Sequence, residues 1–240
     1  MTTRAVIFDV YGTLLEVGAA RTDADIRWGD LWELVFGSPP QYDLDTFGQR
    51  AREVIARHHA EARLRGIPCP EVLWPAVVAE VIPDLRELQS AAQADFIFRQ
   101  MQISRVIRLA DGAAECLRLL RKERVFLGIA SNAQAYTLRE LEECLQEAEL
   151  DLCLFDSSLC FWSFEHGFSK PDPHVFRVLS TRLAARGIGP AEILMIGDRH
   201  DNDILPALTQ GWRAWQLRIL PEPGVTGGDF ASLRRTFFAD

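Results

Sequence analysis

The chain has 240 residues, 48% of them apolar and 25% charged, a balance that fits a folded globular protein and excludes a disordered or low-complexity chain. Its 26 Lys+Arg against 34 Asp+Glu leave a net charge of −8, which argues against a broad nucleic-acid-binding face. No apolar run approaches the roughly 18–20 residues that span a bilayer, and Val6-Ile7-Phe8 meets Asp9 too soon to serve as the core of a signal peptide.

In chain order, residues 4–8 form a β-branched and aromatic run without alternation, which predicts a strand buried on both faces. Residues 16–104 show no clear strand. Leu44, Phe47, Ala51, Val54, Ile55, His58 and Ala62 share a helical face, and Pro68, Pro70, Pro75 and Pro83 cut the later part into short helices. An interval of this length is too long for a connection, so it reads as an inserted helical subdomain whose own core would hold Trp28, Trp32, Trp74, Phe36 and Phe47. Strand-like runs then recur at 125–130, 193–196 and 213–217, with a fifth expected within 153–160 around Leu154-Phe155. Helical stripes lie between them: Ala113, Cys116, Leu117 and Leu120; Leu138, Leu141 and Leu145; Val175, Phe176, Leu179 and Leu183. Strand–helix alternation predicts an α/β fold, a doubly wound parallel-sheet (Rossmann-like) core built from 1–15 and 105–240, with an α-helical cap subdomain over 16–104. Five scattered cysteines without a C-x-x-C pair read as buried thiols of a reducing, cytoplasmic setting.

Polar clusters follow the expected strands: Asp9 through Leu14, Ser131-Asn132, Lys170 in Ser169-Lys170-Pro171, and Asp198 through Asp203. The carboxyl ends of parallel strands share one edge, so these clusters should converge there. A carboxylate can attack an electrophile that bears negative charge, further carboxylates can hold Mg²⁺, and a lysine can neutralise anionic oxygens. Ser131 and Asn132 are also good caps for a following helix, as Asn202 is for the next, while Asp172 and Asp201 read as loop or capping groups.

In its residues and their order, this set resembles the haloacid dehalogenase-like (HAD) hydrolase superfamily: an Asp with Gly-Thr-Leu just beyond it, a Ser after the second strand, a distant Lys, and an acidic segment after a later strand. The resemblance covers about 1–15 and 105–217. It implies that Asp9 is the nucleophile, that Lys170 and Ser131 are catalytic partners, and that Tyr11, Gly12, Thr13 and Asn132 bind substrate. It implies a magnesium site made by Asp9, the Tyr11 carbonyl, Asp198 and Asp203. The expected activity is Mg²⁺-dependent phosphate hydrolysis on a small metabolite, with no nucleic-acid or membrane partner, in a monomer or homodimer.

Tyr11 departs from the phosphatase pattern, in which a second Asp acts as general acid and base; a phenol of ordinary pKa near 10 is a poor base at neutral pH. Asp9-Val10-Tyr11-Gly12-Thr13-Leu14 is similar instead to the metal-independent 2-haloacid dehalogenase branch. Phe176, where that branch usually carries a Tyr, departs from it, and the acidic 197–203 segment is similar to the magnesium-dependent form. A catalytically weak binding protein on the same fold is the third reading. Candidates for the absent acid are His200 and, from the cap, His58, His59 or Glu61. Adjacent histidines do not share a helix face, so one of His58 and His59 is expected inside and the other outside. Phe237-Phe238 at the end is a weak pointer to an interface.

Overall fold

A computed structural model describes residues 2–19, 21–218 and 220–237. Its strands and helices run β1 (Ala5–Phe8), β2 (Leu15–Val17), α1 (Ala24–Phe36), α2 (Leu44–Leu64), α3 (Trp74–Val81), α4 (Ser90–Ile103), β3 (Ile107–Leu109), α5 (Ala113–Lys122), β4 (Phe126–Ser131), α6 (Ala135–Glu147), β5 (Cys160–Trp162), α7 (Ser163–His166), α8 (Pro173–Ala184), β6 (Ile193–Gly197), α9 (Leu205–Thr209), β7 (Arg213–Gln216) and α10 (Phe230–Phe237). The main sheet has five strands in the order β5-β4-β1-β6-β7, and every pairing is parallel. β1 lies at the centre, with Phe8 opposite Ile129 on one side and Ile196 on the other.

That position explains why β1 is apolar at every residue. Val6 and Phe8 face one layer with Leu127, Ile129, Leu194 and Ile196, against α5, α6 and α10. Ala5 and Ile7 face the other with Ile193 and Met195, against α8 and α9. Each fully buried aliphatic or aromatic side chain here contributes about 1.5–3 kcal/mol, so a continuous apolar run is stable only between two helical layers. The stripes read from the sequence are the buried faces: Cys116, Leu117 and Leu120 of α5, Leu141 and Leu145 of α6, and Val175, Phe176, Leu179 and Leu183 of α8. Helices α1–α4 pack around a separate cluster that includes Trp28, Trp32, Phe47, Val77, Val78 and Phe96, with Phe36 and Trp74 partly buried against it. No described helix is long and apolar enough to cross a membrane.

Several expectations are corrected. The 16–104 interval is not free of strand: β2 enters it and pairs antiparallel with β3, where Arg108 meets Glu16 across the ladder. Leu-Glu-Val and Ile-Arg-Leu do alternate, but three residues are too few for that period to be read from the sequence. The fifth strand is not around Leu154-Phe155 but at Cys160–Trp162, because Asp151 and Asp156 accept from the backbones of Cys153 and Ser158 and wind the preceding residues into tight turns. Ser131 and Asn132 do not cap α6, whose N-cap is Gln134, and the N-cap of α9 is Ile204 rather than Asn202. Asp172 does cap α8, accepting from the His174 N–H at 2.9 Å. His58 and His59 are both half-buried. Of the cysteines, Cys116 and Cys144 are buried, Cys69 and Cys160 are half-buried and Cys153 is exposed. Phe237 lies against Trp215 at the β7 edge, while Phe238 lies outside the described residues.

Candidate active site

The chain runs outward along β1, β4 and β6, so the loops that follow them meet at one edge, where the strand order reverses about β1. The Asp9 N–H still donates to the Ile196 carbonyl at 2.9 Å, which fixes its side chain against the sheet end. The chain then folds back in a tight turn, with Gly12 donating to the Leu15 carbonyl at 2.7 Å and Leu15 to that of Val10 at 2.8 Å. Gly12 has a φ of +78°, and a Cβ there would lie 2.6 Å from Asp198 Oδ2, so only glycine lets the acidic loop approach the nucleophile turn this closely. Gly197 is required for a like reason: a Cβ would overlap the Asp203 carboxyl.

Lys170 lies between two carboxylates. Its Nζ donates to Asp9 Oδ1 at 2.8 Å and to Asp203 Oδ1 at 2.5 Å, with all three side chains largely shielded from solvent. Asn132 sets the lysine's place by closing its amide on the Lys170 backbone, donating to the carbonyl at 2.9 Å and accepting from the N–H at 2.7 Å. Asp203 comes from a π-helical turn, His200–Ile204, and its Oδ2 accepts from the Arg199 N–H at 3.0 Å. Both Asp203 oxygens are thus engaged in holding the lysine and the loop. Burial works against the Lys170 charge, but the Asp203 and Asp9 carboxylates outweigh it and hold its pKa above the usual lysine value. Burial pushes Asp203 up despite Lys170, and burial followed by the Asp203 charge pushes Asp198 up.

Three buried atoms here have no hydrogen-bond partner: Thr13 Oγ1, Ser131 Oγ and Asp198 Oδ1. A buried polar atom without a partner costs roughly 1–3 kcal/mol, so a bound group that satisfied these oxygens would recover that cost. Oxygens of Asp9, Asp198 and Asp203 lie within 4.8 Å of one another. With Lys170 as the buried cation among them, these carboxylates leave the centre electron-rich. A hard divalent cation fits this all-oxygen set and would supply the partner that Asp198 Oδ1 lacks. Asp9, Tyr11, Asn132, Lys170, Arg199, Asn202 and Asp203 line a cavity of about 150 Å³. Of the residues expected from the sequence, Asp9, Tyr11, Asn132, Lys170 and Asp203 share this cavity and Asp198 lies against Asp9, Asp203 and Gly12, while Ser131 ends β4 and Thr13 lies in the turn after β1, neither lining the cavity. Of the acids considered, His200 faces Glu222 at 3.5 Å and His58 meets Glu80 at 2.6 Å, and neither lines the cavity.

Sequence reasoning missed a second charged group beside the site. Tyr11 donates its hydroxyl proton to Glu140 of α6 and contacts Thr137 at 2.9 Å. Glu140 also accepts from Arg105 at 2.6 Å and Gln102 at 2.5 Å, and the Arg105 guanidinium covers the Tyr11 ring at 5.2 Å. Burial drives the Tyr11 phenol far above its ordinary pKa, helped by the Glu140 charge against that of Arg105. One signal was present: Thr137, Glu140, Leu141 and Cys144 share a face, so Glu140 is a charge inside an apolar stripe. A further set joins segment 69–74 to the site edge: Gln134 donates to the Val72 carbonyl at 2.7 Å and accepts from the Trp74 N–H at 2.8 Å, while Ser163 donates to Glu71 at 2.6 Å.

Fold and site together define a hydrolase built around a strand-end aspartate. The family model of haloacid dehalogenase-like hydrolases matches residues 3–209, and the chain belongs to that family. Among curated proteins it is similar to the phosphoserine phosphatase of Thermus thermophilus, 39% identical over 87 residues, which is 35% of this chain and 34% of that one. The chain's matches to its curated relatives span 34–39% of their lengths. Among solved structures, a HAD phosphatase from Thermococcus onnurineus superposes with a TM-score of 0.59 at 19% identity over 99% of both chains. A dehalogenase solved with an intermediate complex superposes with a TM-score of 0.59 at 20% identity, over 100% of this chain and 99% of that one. At such identities these two likenesses show the shared fold.

Proposed function

We propose that the protein is a magnesium-dependent phosphatase of small phosphorylated metabolites. The observation that carries this reading is the convergence of the Asp9, Asp198 and Asp203 carboxylates, two of them paired with Lys170, with Asp198 Oδ1 buried and without a partner among the described residues. Asp9, the Tyr11 carbonyl and Asp198 would hold the Mg²⁺, with Asp203 alongside; the cation would offset charge on the carboxylates and on the phosphoryl group.

Lys170 holds Asp9 Oδ1, which leaves Oδ2 to attack phosphorus. The Asp9–phosphorus bond forms as the bond to the leaving oxygen breaks, and that oxygen departs with the electron pair. The Thr13 and Ser131 hydroxyls, buried and without partners among the described residues, would donate to phosphoryl oxygens, with the Lys170 ammonium neutralising developing charge. Water then attacks phosphorus and releases Asp9 and inorganic phosphate. Residues 16–104 would act as the cap, with the Gln134–Val72 and Ser163–Glu71 contacts closing it over 1–15 and 105–240. The likeness to a phosphoserine phosphatase supports this reading.

Metal-independent dehalogenation is favoured by one residue, Tyr11. Phe176 counts against it: it is fully buried against Trp212 and has no hydroxyl to offer. The test is calorimetric Mg²⁺ binding to wild type and Asp198→Ala, with phosphate release measured alongside. Binding abolished by the substitution, with Mg²⁺-dependent release, upholds the phosphatase. Halide release from 2-chloropropionate in EDTA would replace it with the dehalogenase.

A further inference from the structure

The position after the nucleophile that carries a proton-transferring Asp in the phosphatase pattern here carries a side chain that is already engaged elsewhere. The Tyr11 proton goes to Glu140, and Thr137 and Arg105 crowd the same oxygen at 2.9 and 3.3 Å. None of the other cavity-lining groups is a free acid. Asp203 is held at one oxygen by Lys170 and at the other by the Arg199 N–H. Lys170 is held by Asp9 and Asp203. The Asn132 amide is closed on the Lys170 backbone, and the Arg199 guanidinium is paired with Asp201 at 2.7 Å. Asn202 has no acidic proton, and the nearby His200 faces Glu222.

We propose, resting on the phosphatase reading, that the substrates are acyl phosphates, mixed anhydrides of a carboxylic and a phosphoric acid. Their leaving group needs no proton. Asp9 attacks phosphorus, the bond from phosphorus to the acyl oxygen breaks, and the electron pair leaves on a carboxylate, a weak base with a pKa near 4. An alkyl phosphate would have to expel an alkoxide, a far stronger base, and positioned general acids contribute roughly 10²–10⁴-fold to such steps. In the second half, water adds to phosphorus, the Asp9–phosphorus bond breaks, and both water protons remain with the phosphate or pass to solvent. The cavity of about 150 Å³ is small, which suits a phosphoryl group with a short acyl chain.

The experiment is a leaving-group series with saturating Mg²⁺: acetyl phosphate, p-nitrophenyl phosphate, phenyl phosphate and glycerol phosphate, on wild type, Tyr11→Phe and Tyr11→Asp. The expected kcat/KM for acetyl phosphate exceeds that for glycerol phosphate by roughly 10³-fold or more, and Tyr11→Phe keeps that ratio. Tyr11→Asp is expected to narrow it by restoring an acid. Acetyl and glycerol phosphate within tenfold of each other, or a ratio that collapses in Tyr11→Phe, overturns the proposal and leaves the phosphatase standing. No turnover of any member, with no phosphoenzyme trapped, overturns both.

Discussion

Two buried charged groups lie on either side of Tyr11, and they are built to opposite ends. In one, Glu140 is surrounded by Tyr11, Arg105 and Gln102, so its carboxylate oxygens are both satisfied. In the other, Asp9, Asp198 and Asp203 crowd around Lys170, while Asp198 Oδ1, Thr13 Oγ1 and Ser131 Oγ have no partner. Around Glu140 the carboxylate is fully partnered and, among the described residues, Arg105 Nε alone lacks a partner; beside Lys170 three oxygens lack one, and a ligand there would complete them. On the proposed function, the same chemistry serves structure on one side of Tyr11 and reaction on the other.

The sharpest division comes from Asp9→Asn, which removes the nucleophile and should lower turnover by roughly 10⁵-fold or more in steady-state assays, with the fold retained. Next come the two charge removals. Glu140→Ala strands the Arg105 charge, and Lys170→Met strands the Asp9–Asp203 pair; breaking a buried pair costs about 3–5 kcal/mol, a fall in Tm of roughly 10 °C for a chain of this size. Thermal melts with and without Mg²⁺ separate them, because the cation should restore part of the loss in Lys170→Met and none in Glu140→Ala. Equal responses would erase the distinction between the groups. A smaller loss, about 1.5–3 kcal/mol by urea titration, is expected for Tyr11→Phe, which removes one hydrogen bond to a charged carboxylate.

The smallest effect concerns pH. The folded Asp198 carboxyl is pushed above its ordinary value, so its contribution to stability is complete below the unfolded carboxylate pKa near 4 and is lost as pH rises through the raised folded value. In EDTA, Asp198→Asn should therefore flatten the decline in stability that wild type shows on leaving acid pH. A profile unchanged by the substitution would show that Asp198 is not burdened by its neighbours.

The sequence made the reacting centre legible and its supports obscure, for a physical reason. A strand buried on both faces is apolar without alternation, and a polar residue directly after it stands out, so Asp9, Ser131 and Asp198 could be located without a structure. Lys170 and Thr13 were placed only by the order of the clusters. The Tyr11–Glu140 contact joins residues 129 apart, and nothing local to either announces the other. Turn residues were the weakest point: the Asp151 and Asp156 side chains compete with the backbone ladder for N–H groups, so an apolar stretch that reads as strand becomes two tight turns.

The central place of β1 also has a consequence for how the chain is made. β1 emerges first, yet its partners are residues 126–129 and 193–196. At about 5–20 residues per second, synthesis of the stretch from residue 8 to residue 196 takes roughly 10–40 s. For that time the nascent chain carries an apolar strand that lacks at least one of its two sheet partners. The α1–α4 cluster, whose buried residues run from Trp28 to Ile103, is complete in sequence well before then. The order of synthesis thus lets these helices collapse on their own core, while the nucleophile's strand waits for the second half of the protein.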